Sequence, residues 1–444
     1  MTPLVHDWRP GETTLAVVGL GYVGLALAAA FADAGFDVLG FDKQPARTAP
    51  LREGASPYHS PEPELGEMLQ RARCRLAAPA EPTALGAAAA VFVCVETPIE
   101  ADHRPRYDAL RGVLAEIGPH LAAGALVVVE STVAPGTLRA VVVPALEAAT
   151  GGRLGERFHV GHCPERVTSG RLLQNLREMA RVCGGCTPVV AEAMVALYKY
   201  VVRGDLDPTD LETAELVKTA ENAYRDVSIA FANELARICE EAGGDFLRVR
   251  RLVNKSPGRD VLFAGAGVGG HCIPKDSWLL AAGAPGVEPW LLSAARRRND
   301  DMPAHVLSRT AAALGGSVAG RRLAVLGFAY RENADDVRDT PSQRFMDLAR
   351  EGGAELVVHD PFVPELAERA VVDLVAGADA LVILVAHAPY TTLPLAAIAR
   401  AMRTPILFDA RHAIDEADAV AAGFGYHRLG LGVPAGPSRR SGAE

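Results

Sequence analysis

The chain has 444 residues, 49% of them hydrophobic and 22% charged, with a formal net charge of −9. That length exceeds one ordinary core, so two or three globular domains are expected, and the negative balance argues against a nucleic-acid partner, whose phosphates need a basic surface. No apolar run approaches 18 residues and the opening MTPLVHDWRPGETT has neither a basic nor a hydrophobic leader region, so neither membrane insertion nor secretion is expected. The seven cysteines are odd in number and scattered, which fits a reducing cytoplasm better than a disulfide framework. The pair in 183-CGGC-186 lacks a second ligand pair elsewhere and reads as two packing cysteines, so no metal site is expected.

In chain order, the first 150 residues alternate strand and helix signals. Apolar runs at 15–18 and 37–41 flank a helix-forming stretch at 25–34, and further strands are expected at 91–95 and 125–130. A long helical pattern covers 210–241, with Thr209 as its expected cap and Gly243-Gly244 as its stop. Apolar residues occupy most of its circumference, so it should be largely buried. A second helical stretch covers 290–314. Strand signals return at 321–330, 355–363, 379–387 and 405–414, and the tail GVPAGPSRRSGAE is small and polar, as disordered termini are. The expected fold class is α/β: two Rossmann-like doubly wound domains joined by a long central helix, with boundaries at 1–205, 206–315 and 316–444.

The stretch 15-LAVVGLGYVG-24 sets Gly19, Gly21 and Gly24 in GxGxxG spacing between a strand and a helix. Gly19 permits the tight turn, Gly21 lets the backbone reach a pyrophosphate, and Gly24 lets helix and strand pack closely. Free N–H groups at the helix start, around Tyr22 and Val23, suit the phosphates. Asp42 ends the second strand 23 residues after Gly19, where a carboxylate accepts from ribose hydroxyls and repels a 2′-phosphate. NAD is therefore expected in preference to NADP.

A second glycine-rich stretch, 265-GAGVGGHCIPKD-276, runs into Cys272 with Lys275 and Asp276 close behind. Glycines there let the backbone approach a ligand or another chain segment, and a nearby ammonium favours the reactive thiolate. Together with VVGLGYVGL, CVETP, ESTVAPGT, CPERV, ETAELVKTAENAYRDVSIAFANEL and DDVRDTPS, this stretch makes the chain resemble the UDP-glucose/GDP-mannose dehydrogenase family over nearly its whole length. The resemblance implies NAD-dependent oxidation of a nucleotide sugar at C6, twice, to a uronic acid. A cysteine suits such a reaction, because it holds the half-oxidised carbon as a thiohemiacetal and then as a thioester.

By the same resemblance, Cys272 is the nucleophile, and Lys218 and Asn222, one helical turn apart, stabilise the oxyanion and pass protons. Asp276 deprotonates the C6 hydroxyl with Lys218, Glu165 activates water against the thioester, and Thr132 orients that water. Thr97, Thr132 and Lys275 match positions near the cofactor. Glu165, Arg166, Lys218, Asn222, Arg225, Gly267 and Gly269 match the substrate side, and Arg331, Arg338 and Arg411 are candidate phosphate or sugar contacts.

CPERV with YRDVSIAFANEL looks most like the branch acting on UDP-N-acetylhexosamines, especially UDP-N-acetylmannosamine. The chain departs from that branch at VTSG (167–170), at Arg331 in place of a lysine, and at Arg259, one position later than the arginine that enters the neighbouring subunit's site. A homodimer or larger homo-oligomer in the cytoplasm is implied. A non-catalytic nucleotide-sugar-binding protein, or a single-step hydroxyacid dehydrogenase, would have no use for Cys272.

Overall fold

The computed structural model describes residues 7–53, 63–167 and 170–432. The first six residues of the opening stretch that bears on secretion, the centre of VTSG and nearly all of the polar tail lie outside these residues. The described chain packs as two compact units. One holds the residues up to Asn222 together with 275–288, and the other holds 223–274 and the residues from Pro289 onward.

The first unit is built on an eight-stranded sheet: β1 (Thr14–Val18), β2 (Asp37–Phe41), β3 (Leu76–Ala77), β4 (Ala88–Val93), β5 (Ala125–Val129), β6 (Phe158–His162), β7 (Arg181–Gly185) and β8 (Leu206–Asp210), in the order β3-β2-β1-β4-β5-β6-β7-β8. Neighbours run parallel except β6 and β7, which are antiparallel, so the last two strands oppose the rest. Core clusters line both faces, and β4 and β5 accordingly read as unbroken apolar runs instead of alternating ones. Helix α1 (Tyr22–Asp33) covers one face and buries nearly every side chain from Gly24 to Ala32.

Helix α2 (Leu211–Glu241) runs from the first unit into the second. Its cap is Asp210, the last residue of β8, not Thr209: the Asp210 carboxylate accepts from the Thr213 backbone N–H at 2.7 Å and from the Thr213 hydroxyl at 2.9 Å. At the other end Gly243 takes φ +71° and the Gly244 N–H returns to the Cys239 carbonyl, so the expected glycine stop holds. The helix is not buried all round. Ala232, Ala236 and Cys239 enter the core of the second unit, but Tyr224, Phe231 and Ile238 are 76%, 59% and 56% exposed at seven-residue intervals.

The stretch expected as one helix over 290–314 is two, α4 (Trp290–Asp300) and α5 (Met302–Ala313), after α3 (Ile273–Ala282). Pro303 can open α5 but cannot continue α4, since it has no N–H to give. The second unit's sheet has five parallel strands where four were expected: β9 (Arg322–Leu326), β10 (Glu355–His359), β11 (Ala380–Ile383), β12 (Ile406–Asp409) and β13 (Gly425–Arg428), in the order β10-β9-β11-β12-β13. The edge strand β13 is GYHR, too short and polar to signal itself.

Candidate active site

Gly19 leaves β1 at φ +94°, and a Cβ there would sit 2.3 Å from the Cys94 carbonyl oxygen. A Cβ on Gly24 would lie 1.9 Å from the Gly19 oxygen, so helix and turn meet only because both are glycine. Gly21 caps α1 with no side-chain acceptor, and nothing lies within 4 Å of where its Cβ would be. The cradle thus offers open space before the helix N-terminus, flanked by the partly exposed Tyr22 and Val23, which is the fit a pyrophosphate needs. At the end of β2, Asp42 accepts from the Leu20 and Gln44 N–H groups, each at 2.9 Å, and from Arg47 at 3.1 Å.

Still in the first unit, the loops leaving β5 and β6 meet the start of α2 and α3. Thr97 donates to the Thr132 carbonyl at 2.6 Å, and both side chains are buried. The Lys218 ammonium lies 3.9 Å from Glu165 Oε1, and the other oxygen of Glu165 accepts from the Val167 N–H at 2.7 Å. Asp276 has no exposed surface. Its two oxygens accept from Lys275 at 2.8 Å and from Asn222 at 2.5 Å. Arg166 bonds to Glu221 on α2 and to the Ala180 carbonyl. The arrangement places two carboxylates, two ammonium groups and an amide around the start of α2, a set able to move protons and stabilise an oxyanion.

Residues absent from the sequence reading hold this arrangement. Glu215, one turn before Lys218, accepts from the Gly136 and Leu138 N–H groups, both at 2.7 Å, and so ties α2 to the loop of ESTVAPGT; burial pushes its carboxyl up to about 7. His162 is fully buried with Nδ1 against the Val129 carbonyl, and burial first, then the Lys218 charge, lowers it to about 4. Arg181, Glu130, Tyr198 and Cys163 form a buried polar cluster beneath the two loops. Of these only Glu130 and Cys163 fall inside motifs the sequence brings forward. Cys183 is buried as expected of a packing residue, and Cys186 is partly exposed.

In the second unit Cys272, half-buried, directly precedes α3. Its glycines serve approach to another chain segment: a Cβ on Gly269 would meet the Asp339 carbonyl at 2.4 Å, one on Gly267 the Pro341 ring at 3.1 Å, and one on Gly270 the Tyr330 ring at 2.7 Å. Gly267 has φ +126° and Gly270 φ +85°, conformations that a side chain resists. Arg338 in the same loop is exposed and paired with Asp336, whose bond is the main reason its charge is reinforced. Arg411 pairs with Glu332 and passes beside Gly265. Arg331 is partly exposed, Arg225 is exposed on α2, and Arg259 bonds to the nearby Pro257 carbonyl.

The turn after β9 copies the one after β1: Gly327 has φ +95°, and the Phe328 N–H donates to Asp360 at the end of β10. Here the copy is closed. Asp360 also accepts from Ala329, Phe362 and His387, whose Nδ1 accepts in turn from the Asn333 N–H. Burial alone would raise the Asp360 carboxyl, but these donors hold it below its ordinary value. Four donors already sit on this carboxylate, against three on Asp42, which leaves less acceptor capacity for a ribose. Among the described residues no group of His, Cys, Asp and Glu could hold a metal ion, and no helix is long and apolar enough to cross a membrane.

Three family models match the chain in order: UDP-glucose/GDP-mannose dehydrogenase family, NAD binding domain, over residues 13–202; the same family's central domain over 212–301; and its UDP binding domain over 324–416. A UDP-N-acetyl-D-mannosamine dehydrogenase of Pyrococcus horikoshii is 34% identical over 423 residues, 94% of this chain and 99% of that protein. The solved structure of the P. horikoshii UDP-D-ManNAc dehydrogenase covers 95% of this chain and 100% of its own, with a TM-score of 0.89. A UDP-N-acetyl-D-mannosamine dehydrogenase of Salmonella typhi is 35% identical, over 86% of this chain and 95% of that one. An NDP-N-acetyl-D-galactosaminuronic acid dehydrogenase from Methanosarcina mazei Go1 is 34% identical, with a TM-score of 0.84 over 95% and 96% of the two chains.

Proposed function

The chain belongs to the UDP-glucose/GDP-mannose dehydrogenase family and is an NAD-dependent UDP-sugar dehydrogenase, and from that premise we propose that it oxidises C6 of a UDP-N-acetylhexosamine to the uronate, with UDP-N-acetylmannosamine the best match. The observation that carries this reading is the set of buried Lys218 and Asp276 with partly buried Glu165 and Asn222, whose pairings supply the two proton-transfer sites that a double oxidation ending in hydrolysis requires. The N-acetyl group is favoured because it is common to the similar proteins of P. horikoshii and S. typhi, both named for N-acetylmannosamine, and of M. mazei, named for N-acetylgalactosaminuronic acid. UDP-N-acetylglucosamine and UDP-glucose are the alternatives.

Bound NAD supplies the hydride acceptor, once for each oxidation. Asp276, with Lys218 and water, takes the C6 hydroxyl proton as the first hydride leaves, giving an aldehyde. The Cys272 sulfur adds to that carbon, and loss of the second hydride leaves a thioester. Lys218 and Asn222 donate to the oxygen while it carries charge. Glu165 then takes a proton from a water set by Thr132, and the resulting attack on the acyl carbon expels the Cys272 thiolate. Alcohol and water become a carboxylate, and four electrons leave as two hydrides. Thr97 and Lys275 line the coenzyme side, and Arg166 and Arg225 face the sugar. Gly267 and Gly269 shape the loop before Cys272. Arg331, Arg338 and Arg411 hold the diphosphate, for which Arg338 and Arg411 exchange their carboxylate partners.

The test is a panel of UDP-N-acetylmannosamine, UDP-N-acetylglucosamine, UDP-glucose and GDP-mannose, scored by NADH per sugar and product mass. Two NADH per UDP-N-acetylhexosamine are expected, and Cys272→Ser should lose acid formation while still binding sugar and NAD. Full oxidation by that variant would refute the covalent route. One NADH per sugar would refute the double oxidation.

A further inference from the structure

Arg181 opens β7 and is 1% exposed, in the interior of the first unit. Its Nη1 lies 3.3 Å from Glu130 Oε2 and 3.9 Å from the Cys163 sulfur, and Tyr198 donates to the other oxygen of Glu130. Burying a guanidinium is costly unless it is paired, and an apolar cluster of equal volume would stabilise the unit at least as well. What the cluster fixes is geometry. Glu130 is the first residue after β5 and Cys163 the first after β6, adjacent strands in register at Val129 and His162. Thr132 follows Glu130 by two residues and Glu165 follows Cys163 by two. The Glu165 N–H also donates to the Glu130 carbonyl at 3.4 Å. From the third strand, the antiparallel β7, one cation therefore grips the roots of both loops.

We propose that Arg181 is a positioning residue for the hydrolytic half of the reaction: through Glu130 and Cys163 it sets the spacing of the loops that carry Thr132 and Glu165, and with it the place of the attacking water. This rests on the reading of Cys272, Thr132 and Glu165 given above. The bonds of the cluster run to Glu130 and Cys163, whereas the hydride-transfer half depends on Lys218, Asn222 and Asp276, of which Lys218 lies 3.9 Å from Glu165 on one of the clamped loops. Loosening the clamp should slow thioester hydrolysis while the two oxidations proceed.

The experiment compares Arg181→Lys, which keeps the charge but loses the planar fork, with Tyr198→Phe, which keeps the ring and removes one bond to Glu130. Each is mixed with NAD and the best sugar of the panel, and NADH bursts, intact mass and steady-state rate are followed. For Arg181→Lys the expected result is a burst of two NADH per subunit, an enzyme–sugar thioester in the mass spectrum, and a steady-state rate lowered about tenfold with KM lowered alongside it, since kcat/KM is set before the thioester breaks down. Hydroxylamine, which cleaves thioesters without a positioned water, should restore most of the lost turnover. Tyr198→Phe should show the same signature more weakly, and decides the matter if Arg181→Lys does not fold. A rate loss with no burst, no adduct and no hydroxylamine rescue would overturn the proposal, as would an unchanged rate. Glu165→Gln run alongside separates the two readings. If it accumulates thioester and the clamp variants do not, Arg181 is merely structural. If it too fails to accumulate thioester, the covalent reading itself falls.

Discussion

Asp42 shows how much one carboxylate is asked to do. It already receives two backbone N–H groups and Arg47, which leaves about one of its roughly four acceptor positions for a ribose hydroxyl. Removing it would also take away the negative charge that repels a 2′-phosphate. Asp42→Ala is therefore expected to weaken NAD binding by about tenfold, the cost of a charge-assisted hydrogen bond, and to shift preference toward NADP. Titration of both coenzymes checks this, and unchanged affinity with unchanged preference would contradict it. At this scale the sequence is most legible where chemistry sits on a strand end. Gly19, Gly21, Gly24 and Asp42 are readable from spacing because their turn admits few alternatives. The partner of a buried charge is not: Glu130 and Arg181 are 51 residues apart, and only strand register makes them neighbours.

Among the elements, α2 depends on Glu215 for its hold on the 136–138 loop. Its carboxyl has an ordinary value of 4.5 and is raised to about 7 by burial, so the folded state binds its proton more tightly than the unfolded chain does. The resulting stabilisation is complete below about pH 4.5 and is lost as the pH climbs through about 7. In Glu215→Gln that slope should vanish, and thermal melts across pH 4.5 to 8 would show a flatter profile than wild type. An identical slope in both proteins would assign the dependence elsewhere. The elements themselves were largely visible in the pattern of apolar residues. The exceptions have physical causes. The cap moved from Thr209 to Asp210 because the carboxylate, one residue nearer, reaches the Thr213 N–H. β13 escaped notice because an edge strand buries little and needs no apolar run.

On the scale of the whole chain, the same glycine turn and strand-end aspartate occur twice, open in the first unit and self-satisfied in the second. The stripe of Tyr224, Phe231 and Ile238 on α2 repeats every seven residues, the spacing at which a helix meets another helix. We propose that it packs against a second copy of the chain to form a homodimer. Phe231→Glu should halve the mass seen by light scattering and leave the circular dichroism of the chain intact. A wild-type protein already monomeric at micromolar concentration would rule the stripe out as an interface. The apolar residues pointed to a largely buried helix; only its packing showed which side stays in solvent, because periodicity reports where apolar residues are and not what covers them.

By itself the sequence determined the α/β class, the coenzyme cradle and the order of its motifs, since local sterics at glycines and the period of apolar residues are written in neighbouring positions. The tertiary structure alone decided which charges meet. Lys218 with Glu165, Asn222 with Asp276, and Arg181 with Glu130 are all distant in sequence, and their pairing follows from how strands and α2 stack in the first unit. Buried charges must find partners wherever the fold brings them, and no local pattern specifies where that is.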